Sequence, residues 1–329
     1  YIKNILSKVY KYHMKILAVQ NRMGIGDTVI FLPFIKALYE KYNSPISLLV
    51  KESSKAEQYL TQTNYIDKII LLERDKKNVN RHSGFFGIIN LIRDIKKHKF
   101  DKIFIFNSSL RFNLIAKLSG IPEVYQYSLF QKNKQHITNT PKKFLKDNLN
   151  IDVVEDPEIQ IKDTPDLNLK IDENDTNILL GIGGSGPTKR IPANTFLKVI
   201  EEMLKIRKCK FFLATGKNNE EQLILKEFIN SNFKNSCIPL DNLSIKETLP
   251  IIKKCKASIC NDTSFSHLSA ALGIKTITLM ADTPLIYGDY SSKMFPILPD
   301  GEKDVNHNTM GKDKINPQKV LKKLLEILN

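Results

Sequence analysis

The 329-residue chain contains no tryptophan and only four cysteines. Cys209, Cys237, Cys255 and Cys260 show no C-x-x-C spacing, which argues against a metal knuckle or a disulfide framework. No apolar run approaches the roughly 20 residues needed to span a bilayer. The first twenty residues, YIKNILSKVYKYHMKILAVQ, lack a secretory apolar core followed by a small-residue cleavage site. Aromatic-and-basic RNA platforms, zinc-finger spacings and helix-turn-helix spacings are also missing, so nucleic acid is not expected as a partner. With 42% apolar and 26% charged residues, the chain can fill ordinary globular cores. The expectation is a soluble cytoplasmic protein of two domains, with peripheral attachment to the inner face of the cytoplasmic membrane as an option.

Charge is unevenly placed. Residues 1–150 hold 26 Lys+Arg against 11 Asp+Glu, and residues 151–329 hold 24 of each, so the formal excess of +15 lies wholly in the first half. A lysine-rich genome accounts for a basic chain but not for a bias that stops halfway. The first half is expected to face something anionic, an acidic membrane surface or an acidic substrate.

Apolar, β-rich runs alternate with amphipathic stretches. Strands are predicted at 15–20, 46–50, 68–72, 102–107 and 123–127, with helices at about 33–42, 53–61, 85–98 and 109–118. Near-continuous apolar strands separated by helices predict parallel sheets covered on both faces. The acidic stretch 155–176, with two prolines and no helical period, is read as a linker. The alternation restarts with strands at 177–182, 210–214, 257–260 and 275–280. The helices between and after them are predicted at about 193–206, 218–230, 244–254, 265–272 and 317–328. This gives an N-terminal α/β domain over 1–165 and a C-terminal one over 170–329. Residues 1–13 read either as a helix packed on its own domain or as a basic amphipathic membrane-surface helix. Ligands of such folds bind at the carboxyl ends of strands, where loops feed helix N-termini.

Three motifs sit at such ends. In the first, strand KILAVQ runs into Gly24-Ile25-Gly26-Asp27. Asp27 is either a helix N-cap or a functional carboxylate. In the second, Gly181, Gly183 and Gly186 match G-x-G-x-x-G after a strand. A dinucleotide fingerprint needs a helix to open at the glycines, and Pro187 and Pro192 obstruct one. No Lys directly follows the last Gly, so this is not a Walker A loop. What remains is a small-residue loop with Ser185, Thr188, Lys189 and Arg190, suited to oxygen-rich anions. In the third, a strand ends at Cys260 and Asn261-Asp262-Thr263-Ser264 precede a small-residue helix carrying His267. Backbone N–H groups and hydroxyls at such a helix N-terminus suit phosphate. Asp262 would repel phosphate, so it is read as a ligand of sugar hydroxyls or a cap.

In order and spacing these motifs resemble glycosyltransferase family nine, the ADP-heptose:lipopolysaccharide heptosyltransferases. The resemblance rests on Arg22 through Pro33 around Gly26-Asp27, on the loop Gly183 to Lys189 followed by Gly216 and Glu220-Glu221, and on Asp262-Thr263-Ser264 through His267 to Gly273. It departs at Ser264, where the family has Gly, and at Ile191-Pro192, where Trp-Pro is usual. It implies a GT-B fold, in which two Rossmann-like doubly wound parallel-sheet domains face each other across a cleft. It also implies inverting sugar transfer, with heptose from ADP-heptose going to a lipopolysaccharide core or similar surface glycan. Asp27 would be the base and Lys189 would neutralise the leaving diphosphate. Ser185, Thr188, Asp262, Thr263, Ser264 and His267 would bind donor, with Glu220 or Glu221 on the ribose. Arg22, Ser109 and Arg111 would bind acceptor.

The implied partners are a nucleotide sugar, an anionic glycolipid and an anionic membrane surface. No cofactor is expected, and the sequence has no D-x-D pair for a metal. The rival readings are transfer of another nucleotide-linked sugar for capsular or other glycans, a non-catalytic nucleotide-sugar-binding protein, and a nicotinamide oxidoreductase. The two prolines argue against the last.

Overall fold

The computed structural model describes residues 13–74, 80–129, 137–162, 171–172 and 174–329. The basic amphipathic segment at the N-terminus, much of the linker and the domain limits 165 and 170 lie outside them, His13 aside. The chain divides into two compact units. The first draws on residues up to Arg22, Phe34–Ser53 and Asn64–Val153. The second takes Met23–Pro33, Ser54–Thr63 and Val154–Asn329.

The first unit is built on five parallel strands, β1 (Ile16–Gln20), β2 (Ile46–Lys51), β3 (Ile66–Leu72), β4 (Lys102–Ile105) and β5 (Glu123–Gln126), in the order β3-β2-β1-β4-β5. Buried side chains on both faces of β1 and β4 explain their unbroken apolar sequences. Helices α1 (Ile25–Tyr42), α2 (Gly84–Lys96), α3 (Leu110–Leu118) and α4 (Asn139–Leu149) are interspersed. Leu91 and Ile95 of α2 and Phe112 and Ile115 of α3 close the core over Leu17, Val19, Ile103 and Ile105.

The second unit has six parallel strands in the order β11-β10-β9-β6-β7-β8. They are β6 (Thr176–Gly181), β7 (Cys209–Ala214), β8 (Cys237–Pro239), β9 (Ala257–Asn261), β10 (Thr276–Leu279) and β11 (Met294–Ile297). Helices α5 (Ala193–Ile206), α6 (Asn219–Ile229), α7 (Ile245–Lys253), α8 (Ser264–Ala271) and α9 (Pro317–Leu328) connect and flank them. Counted from β6, this is the doubly wound order 3-2-1-4-5-6, whose direction reverses between β6 and β9.

Several elements differ from the sequence expectation. Helix α1 begins at Ile25, not near residue 33, and runs through Pro33. The proline removes one N–H from the helical ladder, a loss an 18-residue helix with a buried apolar face absorbs. The helix expected over 53–61 is two single 3₁₀ turns, Glu52–Ser54 and Ala56–Gln58, separated by Lys55 in the left-handed region at φ 49°. Helix α4 and strands β8 and β11 were not anticipated. Strand β8 has only three residues, and β11 carries Pro296, which an edge strand tolerates.

Candidate functional site

Within the second unit, the loops after β6 and β9 meet at the reversal of strand order. The loop after β6 is fixed by its own polar atoms. Asn261 Nδ2 donates to the carbonyls of Ile182 and Gly183, at 3.0 and 3.1 Å. Arg190 Nε donates to Gly184 O at 2.8 Å and its Nη1 pairs with Glu220. Gly184 N–H donates to Glu221 Oε1 at 2.7 Å. A side chain at Gly183 or Gly216 would overlap the Glu221 carboxylate, so these glycines make room for it. Pro187–Lys189 forms one 3₁₀ turn, and α5 opens only after Pro192, so no helix starts at the glycines. Ser185 stands exposed at the loop's rim, with Thr188 half-buried beside Lys189.

The second loop supplies Asp262 and the N-terminus of α8, whose N-cap is Thr263. Lys189 Nζ lies 3.2 Å from Asp262 Oδ2, an ion pair one-quarter exposed at the lysine and almost wholly buried at the aspartate. The first-turn amides that include Ser264 face out of the helix end, where its dipole favours an anion. The buried hydroxyls of Thr215 and Thr263 have no hydrogen-bond partner among the described residues. A buried donor without a partner is costly, which suits a site built to receive an oxygen-rich ligand.

His267, one turn into α8, is buried beneath Asp262, with Nε2 3.7 Å from Asp262 Oδ1. Its Nδ1 lies 2.7 Å from the Tyr290 hydroxyl, and the two rings stack. Burial above all pushes the Tyr290 phenol well above its ordinary value, helped by the charges of Asp262 and Asp156. The phenol therefore stays protonated, within hydrogen-bond distance of Nδ1, while Nε2 faces Asp262. Burial also holds the His267 imidazole below its usual range, so the ring is neutral near pH 7. Sequence reading missed Tyr290. Its only signal was a tyrosine shortly after the last strand end of the motif, and the pairing across the fold was invisible.

The first motif joins this group. Residues 23–33 belong to the second unit, and Gly26 lies against the His267 ring. A Cβ at Gly26 would come within 2.5 Å of His267 Cδ2 and Nε2. Asp27 is the third residue of α1, not its N-cap, and stands half-buried next to this contact. Gly26→Ala therefore has a sign to test. Helix propensity alone would stabilise the variant by about 1 kcal/mol. Overlap with a ring pinned by Tyr290 should instead destabilise it by about 1–3 kcal/mol. Denaturant melts decide, and a variant more stable than wild type would mean that the contact is loose.

The acceptor candidates lie in the first unit. Arg22 follows β1, its N–H donating to Gln20 Oε1 at 3.0 Å. Ser109 caps α3, its N–H bonded to Asn107 Oδ1 at 3.0 Å and its carbonyl held by Gln126. Arg111 is occupied differently from the expectation. Its guanidinium donates to the carbonyls of His82 and Gly84, clamping the turn before α2. Glu221, buried and holding the loop, and Glu220, exposed and paired with Arg190, also have structural tasks that the sequence did not show.

The family model described as glycosyltransferase family 9 (heptosyltransferase) matches residues 88–294. A lipopolysaccharide heptosyltransferase 1 from Campylobacter coli is 26% identical over 151 residues, 44% of this chain and 43% of that protein. The chain thus spans under half the length of that curated relative. Among solved structures, a glycosyl transferase family 9 protein from Veillonella parvula DSM 2008 matches at a TM-score of 0.77 and 17% identity, covering 96% of this chain and 97% of its own. The E. coli ADP-heptose lps heptosyltransferase II matches at 0.71 and 17% identity, covering 96% and 98%. An E. coli heptosyltransferase solved with ADP matches at 0.71 and 14%, covering 95% and 100%. At these identities the likeness carries the fold, GT-B, with its two parallel-sheet α/β domains. The family model extends over more than half of the chain and takes in both loops of the reversal point, so the chain belongs to glycosyltransferase family 9.

Proposed function

We propose that this protein transfers a sugar, heptose from ADP-heptose, to a lipopolysaccharide core or a similar surface glycan, with inversion and without a metal. The observation that carries the reading is the gathering of Lys189, Asp262, the α8 N-terminus and the Gly26–Asp27 turn around His267 within one unit. In this reading Asp27 takes the proton from the acceptor hydroxyl as that oxygen attacks the anomeric carbon. The bond to the diphosphate breaks on the opposite side, and the charge left on it is met by Lys189, Ser185, Thr188 and the amides of Thr263 and Ser264. Preorganised donors aimed at a developing charge supply about 3–4 kcal/mol each. Asp262 and His267 would meet sugar hydroxyls, the Glu220–Glu221 pair would lie towards the ribose, and Arg22 and Ser109 would lie towards the acceptor. The relatives named for ADP-heptose and lipopolysaccharide support the choice of donor and acceptor, and the basic first half supports an anionic acceptor and membrane surface.

A panel of ADP-, UDP- and GDP-linked sugars tests this by thermal shift and by donor hydrolysis. ADP-heptose should raise the melting temperature most and be hydrolysed slowly without acceptor. Protection by a differently linked sugar would favour the capsular-glycan reading. Protection without hydrolysis or transfer would favour a binding protein.

A further inference from the structure

Helix α3 is apolar on two sides. Phe112, Ile115 and Ala116 are buried in the core of the first unit. Leu110, Leu114 and Leu118, spaced four residues apart, form a second stripe on the outer face and are 65%, 48% and 55% exposed. Helix α2 packs beside α3 and starts with Phe85 and Phe86, 73% and 78% exposed. Single exposed apolar residues are ordinary, but five gathered on two neighbouring helices are not.

Hydrogen bonds hold the turn from which the two exposed phenylalanines follow. His82 is buried, with Nδ1 accepting the Glu73 N–H at 3.0 Å and Nε2 3.1 Å from Asp94 Oδ2. Gly84 adopts φ +63°, and a side chain at Gly87 would overlap the His82 backbone. Arg111 of α3 donates to the carbonyls of His82 and Gly84, tying the first turn of α3 to the residues that precede Phe85. Residues 81–118 hold eight basic and two acidic residues. Arg81 and Lys97 pair with Asp94, while Arg74, Arg93, Lys96 and Lys117 are exposed.

We infer that the start of α2 and the outer stripe of α3 form a docking face for an anionic lipid bilayer, with Phe85, Phe86 and the three leucines entering the headgroup boundary and the surrounding Arg and Lys meeting lipid phosphates. Apolar burial and attraction to anionic lipid are the two terms that bind a surface helix to a membrane, and both are present on this face. Charge selects this occupant. Pairing of the face with itself in a second copy would set basic residues against basic residues. The inference deepens the proposed membrane-facing role and rests on it, but it does not depend on which sugar is moved.

The test is co-sedimentation of the full chain with vesicles of mixed phosphatidylglycerol and phosphatidylcholine, and with pure phosphatidylcholine, at low and physiological salt. Wild type should bind the anionic vesicles, and more weakly at the higher salt. The variants F85S/F86S and L114S alter exposed side chains, so melting temperature and transfer to a soluble acceptor should stay near wild type. Their partitioning onto anionic vesicles should fall at least ~10-fold. Failure of wild type to bind anionic vesicles would overturn the membrane reading itself. Binding by both variants as strong as wild type would overturn this face while leaving a membrane partner in place. A wild-type dimer in sedimentation velocity that L114S dissociates would give the face to a second copy instead.

Discussion

Replacing Asp27 by Asn should leave the fold and donor binding near wild type while sugar transfer falls by at least ~10²-fold, the low end for loss of acid–base catalysis. An amide oxygen has nearly the shape of the carboxylate but does not take up a proton at neutral pH. The structural cost is small because Asp27 is not the cap of α1. It is the third helical residue, where the positive end of the helix favours a carboxylate. Losing that charge costs about 0.3–1 kcal/mol. Two neighbouring contacts do not involve the Asp27 side chain and should persist. Thr28 Oγ1 still donates to Gly24 O, and Gly26 still lies against His267. Three measurements are needed: melting temperature, protection by donor, and transfer at saturating acceptor. A near wild-type rate would move the base elsewhere and leave Asp27 as a carboxylate favoured by the helix dipole.

The sequence showed which strand ends carry the candidate loops better than how those loops are held. Strand ends after KILAVQ, NILLGI and ASICN were legible because apolar runs buried on both faces leave little else for those residues to be. Ligand-binding loops of a doubly wound sheet sit at such ends. The start of α1 was only partly legible: the N-cap reading of Asp27 placed it close by, but the helical period placed it near 33, since glycine and proline usually mark breaks and here lie at the entry of the helix or inside it. Gly183 entered as part of a G-x-G-x-x-G match and Gly216 as part of the resemblance; neither has positive φ, and both are small because the Glu221 carboxylate occupies the space. Arg111 shows the same limit from the other side. A guanidinium suits a carboxylate, a phosphate or two backbone carbonyls equally well, and only the packing of α2 beside α3 shows that this one clamps a turn. Contacts such as Tyr290 to His267 join separate elements at positions that no periodicity marks, so the composition of a motif cannot announce them.

The Lys189–Asp262 pair gives the second large expectation, and the two residues must be separated to interpret it. Without donor, Lys189 neutralises an almost wholly buried carboxylate. Lys189→Ala therefore does two things. It removes a charge-assisted contact that should strengthen as the diphosphate departs, so kcat should fall by roughly 10²-fold or more, with a smaller change in donor affinity. It also strands Asp262. Breaking a fully buried pair costs about 3–5 kcal/mol. The lysine here is one-quarter exposed, so a loss of about 1–3 kcal/mol is expected. The double variant Lys189→Ala/Asp262→Asn separates the two effects. Asn carries no charge to strand yet can still bond sugar hydroxyls, so stability should return towards wild type while kcat stays low. Should transfer recover along with stability, the part of Lys189 would be only to balance Asp262. If folded Lys189→Ala keeps its kcat, the lysine is not needed to meet the charge of the leaving diphosphate, and Ser185, Thr188 and the α8 N-terminus would have to carry that part without it.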